Sequence, residues 1–391
     1  MRNPFVDSRA WLRIGFSLLP GAALAHHGIA NFDHNKDVAI GGMVTEIAFV
    51  NPHSWIYLDV TAADGAVTPW RCEMRAATVL RRSGWSKEMF APGTKVEISG
   101  SPDRADPNTC YVSTIVLEDG TRLDRYGQMT KPERTRNVAR PATLAGGVPN
   151  LNGDWATEQG VLTDPRGKSG AFLPLGVARE LEAGEVPDGA RRFPASRGTP
   201  ESLVEGPLEG LGLAAFPDPV TPTELGRAAA EALDASAMTE RILGCEPDNI
   251  LYDLGFEGHV NRLVQTEREI RILYGFMDIE RRIHMDIGEH PADLEPTFAG
   301  HSIGRWEDDV LVVDTVGFTP GFVSRVSNVM YGEEFHVVER FALEPDAMTL
   351  TREYVARDPR YFVGELRGKD VLQRAEVAYR PYDCDDRTVE P

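Results

Sequence analysis

The chain has 391 residues, 42% of them apolar, and a formal net charge of −19. Because a single core rarely grows beyond ~250–300 residues, the length predicts two domains of globular composition. The acidic charge repels phosphate backbones and anionic lipid headgroups, so neither nucleic acid nor a membrane surface is an expected partner.

Residues 1–25 have the features of a secretion signal. They combine a basic beginning, a short apolar stretch at residues 14–24 and an Ala-Leu-Ala cleavage pattern at residues 23–25. The apolar stretch is shorter than the ~20 residues that span a bilayer, so no transmembrane anchor is expected. We therefore predict a periplasmic or secreted protein.

Cleavage after Ala25 would make His26 the first residue of the mature chain, followed by His27. A terminal histidine offers its α-amine and a ring nitrogen together, which suits copper or another borderline metal. His53, in the loop after the first predicted strand, is the third candidate ligand. The alternative is structural: the histidine pair anchors the first strand and His53 hydrogen-bonds a loop carbonyl.

Residues 26–120 are predicted to form a small β-domain. In chain order, the predicted elements are strands at residues 38–49, 54–61 and 68–75, a helix at 76–84, and strands at 95–100 and 109–117. Three strands, a helix and two strands is the order of an OB-type barrel. The polar residues 121–150 are the expected interdomain linker.

Residues 151–391 are predicted to form a larger antiparallel, barrel-like β-domain with a few short helices. Residues 165–219 are rich in Gly and Pro without a regular period, and a helix is expected at residues 223–233. Candidate strands follow at residues 259–266, 270–275, 281–286, 301–306, 310–316, 335–343, 348–355 and 367–379. Larger β-barrels often enclose a ligand cavity.

The four cysteines favour disulfides, because the count is even and export is expected. Of the three possible pairings we favour Cys72 with Cys110 and Cys245 with Cys384, since each pair would close one domain. No Cys-x-x-Cys occurs, so neither a redox dithiol nor a zinc knuckle is indicated.

Ionisable residues on the predicted strands of the large domain form a second candidate site. The candidates are Arg282, His284, Asp286, His301, Asp314, Glu339 and Glu353. Because side chains alternate along a strand, Asp314 and Glu339 are predicted to lie on apolar, interior faces. Converging carboxylates shift one another's pKa values, which suits general acid–base catalysis. The alternative is a structural network in which arginines neutralise the acids. His336 shows no partner in the pattern and is expected to be structural.

The first half of the chain resembles a known family. The pair His26-His27, the pair Phe32-Asp33 and residues 51–56 (Asn-Pro-His-Ser-Trp-Ile) resemble a family of secreted bacterial domains of unknown function. The resemblance covers residues 26–120.

The second half resembles another group of exported bacterial proteins, over about residues 150–390. Residues 301–315, the Glu-Arg-Phe at residues 339–341 and Cys384 carry this resemblance. Members of the group usually have Asp-Gly-Arg near a first His-Pro. This chain has Asp-Ile-Gly-Glu-His-Pro at residues 286–291 instead.

The sequence leaves three functions open. An acid–base enzyme of the isomerase, lyase, hydratase or cyclase type would act on a small, largely apolar molecule. Asp314, Glu339 and His284 would transfer protons, and Arg282 would orient an oxyanion. The alternatives are a copper carrier or oxidative enzyme and a non-catalytic ligand-binding protein. No phosphate-binding glycine loop, dinucleotide fingerprint or nucleophile elbow occurs, so no organic cofactor is expected. The oligomeric state stays open.

Overall fold

The computed structural model describes residues 31–127, 141–158, 160–162, 172–174, 220–232, 245–247, 249–256, 258–323 and 329–385. These residues form a small β-barrel followed by a larger one, with a few short helices. The predicted secretion signal and the pair His26-His27 lie outside the described residues.

The small barrel contains six strands and one short helix. They are β1 (Val38–Ala48), β2 (Trp55–Thr61), β3 (Val67–Glu73), α1 (Ala77–Arg82), β4 (Lys95–Pro102), β5 (Thr109–Leu117) and β6 (Arg122–Asp124), with a 3-10 helix at Lys87–Phe90. The sheet order is β3-β2-β1-β4-β5-β6, and parallel pairing of β3 with β5 closes the barrel. This closure confirms the predicted OB-like fold. Strand β6 extends the sheet into the segment predicted to be a linker.

Alternation of buried and exposed side chains explains why these segments form strands. Along β4, Val96 and Ile98 are buried in the small core, whereas Lys95 and Glu97 face outward. This period of two is the signature of a strand with one solvated face.

The larger barrel is closed by nine strands. In spatial order they are β11 (Val260–Gln265), β12 (Glu269–Leu273), β13 (Glu280–His284), β14 (His301–Glu307), β15 (Val310–Val316), β18 (His336–Leu343), β19 (Thr349–Arg357), β21 (Leu366–Arg374) and β7 (Gly153–Thr157). Strand β7, which the sequence pattern did not reveal, pairs with both β11 and β21 and so closes the ring. The barrel is antiparallel except for the pairing of β13 with β14.

Shorter elements accompany the larger barrel. They are β8 (Gly160–Leu162), β9 (Phe172–Pro174), β10 (Thr221–Pro222), α2 (Glu224–Ala232), α3 (Ile250–Gly255), β16 (Gly321–Phe322), β17 (Met330–Tyr331) and β20 (Phe362–Val363). Asn249 caps α3 by accepting hydrogen bonds from the backbone N–H groups of Leu251 and Tyr252.

Each barrel has its own disulfide. Cys72–Cys110 joins β3 to β5 at the seam of the small barrel, and Cys245–Cys384 ties the segment before α3 to the C-terminal segment. Both pairings are those favoured from the sequence. Disulfides are typical of proteins that fold in an oxidising compartment.

Four charged side chains form an ion network inside the larger barrel. Glu339 accepts hydrogen bonds from Arg281 at 3.1 Å and from Arg352 at 3.3 Å, and Arg352 Nε donates to Asp370 at 2.7 Å. The Arg281, Arg352 and Glu339 side chains are fully buried and that of Asp370 is 4% exposed. Glu339 lies on the interior face, as predicted. Its two arginine partners correspond to the alternative in which arginines neutralise the acids.

Asp314 lies on the outer face of the barrel wall, which corrects the prediction of an interior face. In the pairing of β15 with β18, Val313 lies opposite Glu339 and Asp314 lies opposite Val338. Because neighbouring residues of a strand project to opposite faces, Glu339 is inside and Asp314 outside. The two carboxylates therefore do not meet in one cavity.

The Asn-Pro-His segment docks the small barrel onto the C-terminal segment. Asn51 is buried, its amide group donates to the carbonyl of Tyr382, and its own carbonyl accepts from the backbone N–H of Asp385 at 2.7 Å. Thr78 of α1 donates to Asn51 Oδ1 at 3.1 Å and shares a hydrogen bond of 3.2 Å with His259 Nδ1. Residues of both barrels thus form one continuous hydrogen-bonded contact.

Glu339→Gln should lower the free energy of unfolding by about 3–5 kcal/mol, because it leaves Arg281 as a buried charge without its carboxylate. Urea denaturation followed by circular dichroism measures the change. The matched control is Glu353→Gln on the next strand, whose exposed side chain forms a surface ion pair with Lys369 at 3.1 Å and should leave the midpoint nearly unchanged. Equal shifts in the two variants would contradict a central role for the network.

Candidate active site

Four histidines and one aspartate come together on the outer face of the larger barrel. This histidine cluster consists of His284 at the end of β13, His290 in the connection after β13, His301 at the start of β14, Asp314 in β15 and His336 at the start of β18. The members come from four neighbouring strands and one loop, so only the closed sheet assembles them.

The strand register explains why these side chains share a face. Ile303 pairs with His284 on one side and with Asp314 on the other, so the three project in the same direction. His301 lies two residues before Ile303, and His336 lies two residues before Val338, which pairs with Asp314. Both histidines therefore lie on the same face.

The parallel pairing of β13 with β14 explains how His290 reaches the cluster. Parallel strands cannot be joined by a tight turn, so the chain needs the longer connection of residues 285–300. Gly300 ends this connection with a φ of 63°, and a Cβ there would lie 2.8 Å from the carbonyl oxygen of Val316. The close approach leaves no room for a side chain, and glycine adopts the positive φ without steric cost, so Gly300 sets the direction in which the chain enters β14.

A chain of hydrogen bonds runs through the cluster. Asp314 contacts His336 Nε2 through one carboxylate oxygen and His290 Nε2 through the other, both at 2.9 Å. His290 Nδ1 lies 2.8 Å from His301 Nδ1. The ring of His284 stacks on His301, with 5.1 Å between the centroids and 18° between the planes.

The carboxylate of Asp314 determines the tautomers along this chain. An ionised carboxylate only accepts, so His290 carries its proton on Nε2. In the neutral ring His290 Nδ1 is then an acceptor, and His301 Nδ1 must be the donor. His301 Nε2 is consequently the unprotonated, basic nitrogen.

The electrostatics of the cluster favour this arrangement. The hydrogen bond from His336 lowers the pKa of Asp314 below its usual value, partial burial opposes this, and the bond from His290 adds to the lowering. Burial, followed by the charges of His290 and His284, lowers the pKa of His301 below 6.5. Asp314 is thus ionised and His301 neutral at neutral pH.

His284 and His301 also line a cleft of about 400 Å³. Arg282 lies on the same wall, and Phe298 and Met277 supply apolar surface. This histidine cleft can accept a small molecule, with two imidazoles, the Arg282 guanidinium, the carboxylates of Asp278 and Glu280 and an apolar wall around it. Three of the residues predicted from the sequence, Arg282, His284 and His301, therefore line one cleft. Asp314 is connected to His301 by hydrogen bonds through His290.

The other predicted residues lie elsewhere. Glu339 belongs to the interior ion network, and Glu353 is exposed beside Lys369. Strand β13 ends at His284, so Asp286 lies in the exposed connection and not within the strand predicted at residues 281–286.

His290 and His336 are not among the site residues predicted from the sequence. His336 was expected to be structural, although it lies two residues before Val338 on the strand that pairs with Asp314. Alternation within β18 puts His336 on the outer face, but the pairing with β15 is not visible in the sequence. His290 lies in a connection, where no periodic signal exists.

The copper hypothesis remains a prediction. His26 and His27 are outside the described residues, and His53 Nδ1 lies 3.9 Å from Glu73 Oε1 in the small barrel. Within the described ranges, no group of three or more His, Cys, Asp or Glu side chains is arranged to hold a metal ion.

One comparison with known families bears on this chain. A family of unknown function, DUF6152, matches residues 16–111, which is less than half of the chain and does not reach the larger barrel. The match fits the predicted resemblance of the first half, whereas the resemblance of the second half stays a prediction. No curated protein matches the chain. None of the helices in the described part of the chain is long and apolar enough to cross a membrane.

Nitrogen-15 NMR of the histidine side chains should find His290 protonated on Nε2 and His301 on Nδ1. His301 should titrate below 6.5, because burial and the neighbouring histidines disfavour its charged form. The base form then persists to a lower pH than in a free histidine, and is lost as the pH falls further. His34, hydrogen-bonded to Ser101 in the small barrel, serves as the internal control. Finding the proton on His301 Nε2 would refute the tautomer chain.

Proposed function

We propose that this protein is an acid–base enzyme that moves a proton on a small molecule held in the histidine cleft. The observation that carries the proposal is the chain from Asp314 through His290 to His301, which ends at the cleft. An aspartate that orients a histidine and stabilises its charged form is a recurring feature of proton-transfer enzymes. Here a second imidazole extends that chain.

The reaction step proposed is proton abstraction from a carbon next to a carbonyl group. The C–H bond breaks, its electron pair delocalises onto the carbonyl oxygen, and the proton forms a bond with His301 Nε2. As His301 takes this proton, its Nδ1 proton can pass to His290 Nδ1. The resulting positive charge then lies against the Asp314 carboxylate, 2.9 Å from His290 Nε2.

Return of the proton to a different carbon completes an isomerisation, which needs neither an oxidant nor an organic cofactor. Arg282 on the cleft wall would stabilise the developing oxyanion, and His284 provides a second group for proton transfer. The apolar surface from Phe298 and Met277 suits a largely apolar substrate. Lyase and hydratase reactions begin with the same abstraction.

The test is deuterium exchange, followed by proton NMR, into small ketones and 2-oxo acids of increasing apolar size in heavy water. We expect the protein to accelerate exchange for at least one compound, and Asp314→Asn to slow it by about 100-fold or more. The control is Glu307→Gln, an exposed carboxylate on β14 that binds Arg305 and Arg340 and should exchange as the parent does.

Two outcomes would contradict the proposal. One is no acceleration with any compound of the panel. The other is exchange that survives intact in a folded His301→Gln variant, since that nitrogen is the proposed base.

We also propose that the protein works outside the cytoplasm. The two disulfides support this, together with the secretion-signal pattern of residues 1–25. Intact mass of the protein from the periplasm or medium of an expressing bacterium should correspond to a chain that begins at His26. A mature chain that keeps residues 1–25 would contradict it.

A further inference from the structure

A second cavity lies between the two barrels, away from the histidine cleft. It has a volume of about 330 Å³. Helix α1 and the turn after it contribute one wall, including Thr78, Arg81 and Trp85, and the larger barrel contributes the other, including Val260 and Arg380. At ~30 Å³ per water-sized group, the cavity has room for about ten non-hydrogen atoms.

Two arginines line this cavity without a carboxylate. Among the described residues, neither Arg81 nor Arg380 has an acidic side chain within 4.0 Å, although their neighbour Arg82 binds Glu376 at 2.5 Å. Burial, and then the positive charge of Arg380, lowers the pKa of Arg81. Two guanidinium groups that repel each other in a chain of net charge −19 mark a local excess of positive charge.

Apart from the Thr78 hydroxyl and the indole N–H of Trp85, the other side chains that line the cavity are apolar. Trp85 is 2% exposed, and Val260 and Val377 line the side formed by the larger barrel. The Arg81 guanidinium lies 5.2 Å from the ring centre of Phe49, which holds it in place by a cation–π contact. The cavity therefore combines two cationic groups, of which Arg81 is held against Phe49, with an apolar body.

We propose that this interdomain cavity binds a small organic anion that carries a carboxylate on an apolar skeleton. Arginine side chains match a carboxylate in charge and in the planar geometry of their donors. The apolar walls hold the rest of the ligand, and binding removes the repulsion between Arg81 and Arg380. Because both barrels line the cavity, the ligand would also stabilise the contact between the barrels, next to the hydrogen bond between Thr78 and His259.

The test is isothermal titration of the full chain with three probes: benzoate, its neutral analogue benzamide, and inorganic phosphate. We expect benzoate to bind with one-to-one stoichiometry and benzamide to bind at least tenfold more weakly. Arg380→Gln should weaken benzoate binding at least tenfold. Arg380 is exposed, so this variant should fold, and Arg81→Gln provides a second variant with the same expected loss.

Arg282→Gln is the matched control, because it removes a cation from the histidine cleft and leaves the interdomain cavity intact. Benzoate binding that is lost in Arg282→Gln but kept in Arg380→Gln would overturn the proposal in favour of the histidine cleft. Tighter binding of phosphate than of benzoate would overturn the assignment to organic carboxylates. Equal affinity for benzoate and benzamide, or no binding of any probe in the millimolar range, would overturn the site.

Discussion

The larger barrel depends on the mutual neutralisation of four charges in its interior. Arg281, Glu339, Arg352 and Asp370 come from four different strands, and none of these side chains is more than 4% exposed. Buried charges are tolerated only when each one is paired and hydrogen-bonded. The network therefore fixes which face of these four strands is inside, because a slip of one residue would expose the charged groups and bury the outer face.

The histidine cluster is a consequence of that choice of face. With Glu339 inside, its cross-strand neighbour Val313 is also inside, and Asp314 is directed outward with the histidines. Asp314 can therefore contact the imidazoles of His290 and His336, and His290 connects it to His301 at the cleft. Glu339 therefore belongs to a buried group of charges that holds the barrel together, and Asp314 belongs to the hydrogen-bonded histidine cluster on the outer face.

The contact between the barrels gives the Asn-Pro-His segment a structural role. Asn51 binds Thr78 and the backbone around Tyr382, close to the Cys245–Cys384 disulfide. The same interface encloses the cavity with Arg81 and Arg380. A ligand in that cavity would therefore stabilise the same contact between the barrels that the hydrogen bonds of Asn51 stabilise.

The sequence by itself determined the fold class and most of the barrel strands. Alternating side chains located five of the six small-barrel strands and eight of the nine large-barrel strands, and the cysteine count led to both disulfides. It also placed His284, His301 and Arg282 among the candidates, and these three line one cleft. Only the tertiary structure decided that Glu339 is inside, that Asp314 is outside, and that His290 and His336 complete the cluster. The reason is physical: alternation along a strand is local, whereas strand pairing and the path of a long connection depend on contacts between residues far apart in the chain.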